Sequence, residues 1–277
     1  MKKRHLSFTQ LNMLFRCAKQ YEYRYILGMV IPPAGPMLQG RAAHEALRHN
    51  YRQKITSGRD APADEMTDVF KESFAGAVKD EPPALDAGDS IEGLAKQGLD
   101  LVKLHRAYLS PSVQPARVEE PELVSLGDEF PYALKIIIDV EDADRVLHDN
   151  KFASRMPDQF AVDKDLQLST YLMARTAATG TLYCRAALDV VTRAAHPQAK
   201  RIATTRTPED LLFHLREVVG GAARMITAGA FPPTGIGSFW CSPKMCGYWD
   251  RCMGAGRRTI IDMKQVQEEQ TKEEEKQ

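Results

Sequence analysis

The chain lacks any apolar run long enough to cross a bilayer, which excludes a membrane-spanning helix within it. It also lacks an excess of either charge, with 37 Lys and Arg against 37 Asp and Glu. That balance ordinarily argues against a strongly anionic partner. The basic start Met1-Lys2-Lys3-Arg4-His5 leads into no apolar segment of the secretory type, so a cytoplasmic location without membrane attachment is expected. Cysteine is scarce, at five residues, and in a cytoplasmic chain cysteines more often serve metal or chemistry than disulfides. There is no internal repeat. What is present is an ordinary apolar fraction of 43% in 277 residues, enough for one large domain or two small ones.

Charge is unevenly distributed along the chain. Residues 1–60 hold eleven Lys and Arg against three Asp and Glu, a net of +8. Residues 61–197 hold fourteen against twenty-four, a net of −10, and residues 198–258 hold nine against four, a net of +5. Basic ends that meet in space would offer phosphates a cationic track, while carboxylates of the middle hold metal.

Periodicity and punctuation predict the elements. Ser7-Phe8-Thr9-Gln10 has the capping-box form and opens a helix predicted to run from Leu6 to Leu27, ended by Gly28. A Pro/Gly loop at 32–36 precedes a second helix from near Gly40. A short helical piece is predicted around 69–78 and a helix from Ile91 to Leu109, with residues 111–121 as a linker. Strands follow around 123–126, 132–140 and 145–152, then a helix over 162–179, strands at 184–192 and 199–205, and a helix from Thr207 to about Ala228. Residues 259–277 form a very polar tail.

The segment with most chemistry is Ile136 to Tyr171. One apolar run leads to Asp139, and a second leads to Asp149-Asn150-Lys151. Asp149 and Lys151 flank one residue, so on a strand they point to the same face. Two acids and an amine so placed can hold a divalent cation and activate a water. Gln167 and Tyr171, four apart, share one helix face. A bare D-x-K is weak; this order and spacing after two strand-like runs is strong.

This arrangement resembles the PD-(D/E)XK nuclease superfamily, and most closely its RecB-like exonuclease branch, which includes the AddB nuclease domain and CRISPR-associated exonucleases. The resemblance implies an α/β, restriction-endonuclease-like fold with a central mixed sheet flanked by helices. It implies hydrolysis of DNA phosphodiesters with Mg²⁺ or Mn²⁺ held by Asp139 and Asp149, Lys151 assisting the water, and Gln167 and Tyr171 supporting the site. Gly40-Arg41-Ala42-Ala43-His44-Glu45-Ala46-Leu47 looks like the branch's G-x-x-x-H-x-x-L helix, whose histidine is a further metal ligand; small residues at 42 and 43 permit close approach to the sheet. Some members carry a glutamate just before the sheet, a place that either Glu119 or Glu120 fits.

Three cysteines, Cys241, Cys246 and Cys252, form C-x4-C-x5-C near the end of the chain, and Cys17 lies far upstream. Four thiolates suit iron–sulfur or zinc. The same branch places one cysteine early and three late around a [4Fe–4S] cluster, which implies those four as its ligands; Ala18 departs from the branch's usual proline after the first. Cys184 reads as a core residue. The implied organisation is one nuclease domain over 1–258, with an Fe–S subdomain from about 1–30 and 231–258. The implied partners are single-stranded DNA or duplex ends, with a separate helicase or a recombination or adaptation protein. The alternative is a non-catalytic nucleic-acid-binding subunit that keeps this fold around a structural Fe–S or zinc site.

Overall fold

The computed structural model describes residues 4–86, 88–128, 130–235 and 237–253. The polar tail expected at 259–277 lies outside the described residues. The chain divides into two compact units. The larger comprises the N-terminal residues to Asn12 together with Pro32–Ala230, and the smaller comprises Met13–Ile31 together with the residues from Phe231 on.

The elements in chain order are β1 (Arg4–Ser7), α1 (Phe8–Arg16), α2 (Ala18–Tyr21), α3 (Gly35–Ser57), α4 (Ala63–Asp80) and α5 (Ile91–Tyr108). Then come β2 (Pro115–Val118), β3 (Glu122–Val124), β4 (Tyr132–Ile136), β5 (Val140–Asp142), β6 (Leu147–Ala153), α6 (Gln159–Asp163) and α7 (Leu166–Thr179). The last are β7 (Arg185–Thr192), β8 (Ala199–Thr205), α8 (Pro208–Phe213), α9 (Gly220–Thr227) and α10 (Trp249–Met253). The strands form a mixed five-stranded sheet, ordered β2-β5-β6-β7-β8, and a three-stranded sheet, ordered β1-β4-β3. In the larger sheet only the β6–β7 pair is parallel.

Helices α3, α4 and α5 build an apolar core beside this sheet. Pro36 sits in the first turn of α3, where its missing N–H costs nothing, and Gly58 closes the helix at φ 69°. The stripe Ala42, Ala43 and Ala46 is fully buried in one cluster with Val118 of β2 and Val140 of β5. Larger side chains there would hold the helix away from the sheet. The α4–α5 contact is equally close: a Cβ at Gly98 would lie 2.1 Å from the ring of Phe70. Each large apolar side chain buried here, such as Leu47 or Phe70, contributes about 1.5–3 kcal/mol.

Several expected boundaries move. The single strand expected at 132–140 is two strands in different sheets: β4 ends at Ile136, β5 begins at Val140, and Ile137–Asp139 change sheets between them. The linker expected at 111–121 contains β2, an edge strand whose Pro115 needs no ladder donor. The short helical piece at 69–78 is the 18-residue α4, and the second helix starts at Gly35 rather than Gly40. The first helix is preceded by β1, which takes Leu6, and breaks at Cys17, whose backbone is extended (φ −164°, ψ 108°). The helix expected at 162–179 divides where Asp165 caps α7 by accepting from the Leu168 N–H. The helix from Thr207 contains a π-helical stretch, His214–Val219, between α8 and α9. The capping box of Ser7 with Gln10 forms, and Thr207 with Asp210 forms a second one.

Candidate active site

The site forms where β5 begins and the two sheets part. Strand β5 pairs with β6 only through Val140–His148 and Glu141–Leu147. The next inward N–H of β6, that of Asn150, therefore has no strand carbonyl to meet. It donates instead to Asp139 Oδ2 at 2.7 Å. The carbonyls of Ile138 and Asp139 both accept from the Glu119 N–H, at 3.0 and 3.2 Å. Arg175 of α7 spans the parting: its guanidinium meets Glu122 of β3 and Glu141 of β5, each at 2.9 Å.

Three ligand atoms converge at this point. One from each of His44, Glu119 and Asp139 lies within 4.8 Å of the others. His44 Nδ1 is 3.4 Å from Asp139 Oδ2. His44 arrives on α3, Asp139 from the sheet-changing segment, and Glu119 from the residue after β2. Glu119 has φ 45°, a left-handed conformation that costs a non-glycine residue about 1–3 kcal/mol. Strain of this kind persists where surrounding structure enforces it, and here both carbonyls hold the Glu119 N–H. Burial, and then the charge of Asp139, pushes the Glu119 carboxyl up to about 7. Glu120 instead faces solvent and pairs with Arg117 at 2.9 Å. Of the two glutamates, Glu119 and not Glu120 is the one brought to His44 and Asp139.

Asp149 and Lys151 share a face of β6, with Lys151 Nζ 2.8 Å from Asp149 Oδ2. Lys151 also donates to Gln167 Oε1 at 2.6 Å, and Gln167 Nε2 contacts the Tyr171 hydroxyl oxygen at 2.9 Å. The Gln167–Tyr171 face of α7 is thereby joined to the strand lysine. Asp149 is not an end residue but the third of β6, and it is only 1% exposed. Its Oδ2 has no hydrogen bond of good geometry and faces the Lys151 ammonium as an ion pair. Burial, and then the repulsion of Asp139, outweighs the lysine and raises the Asp149 carboxyl to about 6. Burial alone would lower Lys151, yet the Asp149 carboxylate holds it above its usual value. Burial also raises the Tyr171 phenol, with the Asp149 and Asp139 charges acting the same way.

One imidazole and two carboxylates, with a third carboxylate on the adjoining strand, form an oxygen-rich donor set that fits Mg²⁺ or Mn²⁺. A buried, poorly compensated Asp149 fits it too, since a cation would remove the desolvation penalty.

The model of the PD-(D/E)XK nuclease superfamily matches residues 5–253. The chain belongs to that superfamily. Its members are metal-dependent nucleases. The crystal structure of "Putative exonuclease" from Eubacterium rectale is similar over 90% of this chain and 88% of its own, with a TM-score of 0.59 at 13% sequence identity, a likeness of fold. No curated protein matches the sequence.

In this PD-(D/E)XK chain a second constellation lies in the smaller unit. Cys17, Cys241, Cys246 and Cys252 line one small cavity with Gln20, Tyr23, Trp240 and Trp249. None is in a disulfide. Gln20 Nε2 donates to Cys246 Sγ at 3.1 Å, and the Thr234 N–H donates to Cys17 Sγ at 3.4 Å. The break at Cys17 points its thiol into this group and leaves Ala18 as the first residue of α2, a position that also suits proline. Burial raises the Cys241 thiol, as does the proximity of Cys17, Cys246 and Cys252. Cys184 lies outside this group, just before β7.

The opposite face of β6 carries polar residues that belong to no recognised motif. Asn150 and His148 point there, both buried. His148 lies between Asp142 and Asp189, at 3.2 and 3.3 Å, and Arg201 Nε donates to Asp189 at 2.6 Å. His105 Nε2 bonds Asn150 Oδ1 at 2.8 Å. The available signal was a polar pair, His148 and Asn150, where a strand facing an apolar core would carry aliphatic residues. No helix among the described residues is long and apolar enough to cross a membrane.

Proposed function

We propose that this chain is a metal-dependent DNA exonuclease of the RecB-like branch, hydrolysing phosphodiesters at DNA ends or in single strands. The observation that carries the reading is the convergence of His44, Glu119 and Asp139 beside the Asp149–Lys151–Gln167 chain. A divalent cation held by His44, Glu119 and Asp139, with Asp149 adjoining, would polarise the phosphate and lower the pKa of a water. Lys151, kept protonated by Asp149, orients the attacking water and balances charge developing on the phosphate. Gln167 fixes the ammonium from the side, and Tyr171 fixes Gln167. The name of the Eubacterium rectale neighbour favours exonuclease action. DNA as substrate is supported by the smaller unit, whose described residues hold five Lys and Arg (Arg16, Lys19, Arg24, Lys244, Arg251) against two acids (Glu22, Asp250). A separate helicase, or a recombination or adaptation protein, is the partner this reading implies.

The four cysteines are proposed to hold a [4Fe–4S] cluster. The four thiols line one cavity, and their layout, one cysteine early and three late, favours the cluster over zinc. Hydrogen bonds to Cys17 and Cys246 suit thiolates that carry charge. The cluster's proposed role is to join distant chain segments and position DNA, without redox catalysis.

The test is cleavage of end-labelled single- and double-stranded DNA by anaerobically purified protein with Mg²⁺ or Mn²⁺. Wild type is compared with Asp149→Ala, Lys151→Ala and the paired variants Glu119→Gln and Glu120→Gln. Metal-dependent shortening from the ends is expected, abolished in the first two, strongly reduced in Glu119→Gln and unchanged in Glu120→Gln. Undiminished cleavage by Lys151→Ala would overturn the mechanism.

A further inference from the structure

A strand that faces an apolar core normally buries aliphatic side chains on that face. At position 150 this chain instead buries an asparagine, 2% exposed, and provides it with a dedicated partner. A buried amide is costly unless bonded, and fold stability alone would be served by valine or leucine. The partner, His105 of α5, is itself fully buried. Its Nε2 lies 2.8 Å from Asn150 Oδ1 and its Nδ1 3.1 Å from Ser110 Oγ. An amide oxygen at Nε2 places the ring proton there, leaving Nδ1 to accept from the serine hydroxyl. Ser110 is anchored in turn, because the buried Lys54 of α3 donates to its carbonyl at 2.8 Å and also pairs with Asp60 at 3.1 Å. A bonded polar chain thus runs from α3 through α5 to the middle of β6.

What this chain grips is the residue whose backbone N–H holds Asp139. Asn150 donates from its main chain to Asp139 Oδ2 at 2.7 Å, while its side chain is bound on the other face. This is the point where β5 no longer supports β6, so the strand ladder cannot fix the N–H by itself.

We propose that His105 and Asn150 are positioning residues for metal binding: His105 grips the Asn150 side chain, and the gripped Asn150 N–H sets the orientation of the Asp139 carboxylate toward His44 and Glu119. Neither residue touches substrate. The inference rests on the reading of His44, Glu119 and Asp139 as the metal group. Outer partners of this kind change metal affinity by about 10- to 100-fold when removed. His105 and the Asn150 side chain act one bond further back, so the lower end, about tenfold, is expected.

The experiment is Mn²⁺ binding to the purified full chain, followed by electron paramagnetic resonance without nucleic acid, beside the Mg²⁺ dependence of cleavage. The variants are Asn150→Val, the double variant His105→Leu/Asn150→Leu, and His105→Gln. Asn150→Val and the double variant should bind Mn²⁺ about tenfold more weakly and need about tenfold more Mg²⁺ for half-maximal rate. The rate at saturating metal should remain within a few-fold of wild type. His105→Gln keeps a donor for Asn150 Oδ1 and should restore most of the affinity. The double variant replaces both polar partners with apolar groups, so it keeps the test open if Asn150→Val folds poorly. Wild-type Mn²⁺ affinity in a folded double variant would overturn the positioning role and leave the metal group standing. Absence of Mn²⁺ binding by the wild type would overturn the metal group itself.

Discussion

Asp149 is placed where an ordinary folding criterion would not put a carboxylate. It is buried in β6, its Oδ2 lacks a well-formed hydrogen bond, and its carboxyl is raised to about 6 from an ordinary 3.8. Because the folded value lies above the unfolded one, protonation is favoured on folding. Ionisation above about pH 6 therefore costs stability, roughly 1–3 kcal/mol once the Lys151 pairing is allowed for. Asp149→Asn should accordingly raise the melting temperature of metal-free protein at pH 8 while abolishing cleavage. The gain should shrink toward pH 5, where the wild-type carboxyl is already protonated. Calorimetry at both pH values checks this, and a variant less stable than wild type at pH 8 would show that the Lys151 pair outweighs burial. Glu119 expresses the same trade in its backbone, held left-handed beside His44 and Asp139.

At the scale of elements, β6 is a strand with two chemistries. One face carries Asp149 and Lys151 and the other carries His148 and Asn150. The inner polar groups are satisfied by α5 and β8, through His105 and Arg201. Burying them gives the fold a defined acid response. Burial lowers His105 to about 4, and burial followed by the Arg206 charge lowers His214 to about 4. The unfolded chain protonates both near 6.5, so their contribution is complete above that pH and is lost as pH falls from 6.5 to 4. The loss is of the order of 3 kcal/mol for each. His148 runs the other way: despite burial, Asp142 and Asp189 raise it, so its contribution is lost as pH rises through its folded value. Urea unfolding at pH 7 and pH 4.5 should show a marked drop in stability, and His214→Gln should remove part of that drop. An equal drop in the variant would show that the buried His214 does not govern the response.

At the scale of the whole molecule, two segments far apart in sequence, Met13–Ile31 and the residues from Phe231, make one unit around four cysteines. Its packing includes Tyr21 stacked on Phe231 at 5.7 Å and the Tyr248 hydroxyl bonded to the Met29 carbonyl at 2.8 Å. Gly247 lets Ile31 approach, since a Cβ there would lie 2.4 Å from the Ile31 side chain. This unit is small, and small units commonly depend on a staple. Replacing Cys17, Cys241, Cys246 or Cys252 with serine should each lower the iron content and expose the unit to limited proteolysis. Cys184→Ser should do neither. Stoichiometric zinc without iron in the wild type would replace the cluster with a zinc site.

Much of this was legible in the chain. Period-2 alternation and a single intervening residue place Asp149 and Lys151 on one face whatever the surroundings, and four-residue spacing does the same for Gln167 and Tyr171. The C-x4-C-x5-C run marks cysteines that gather at one cavity, and Ala42 and Ala43 mark a close helix–sheet contact. These are local facts, fixed by the covalent geometry of strand and helix. The rest depends on what meets across space. The choice of Glu119 over Glu120 required a left-handed residue held by the carbonyls of Ile138 and Asp139. The break at Cys17 has no glycine or proline to announce it. The change of sheets at Ile137–Asp139 has no glycine or proline to mark it, and the grip of His105 on Asn150 joins residues 45 positions apart. Periodicity records which face of an element is buried. It carries no record of where a strand loses its neighbour, and in this protein His44, Glu119 and Asp139 gather at that place.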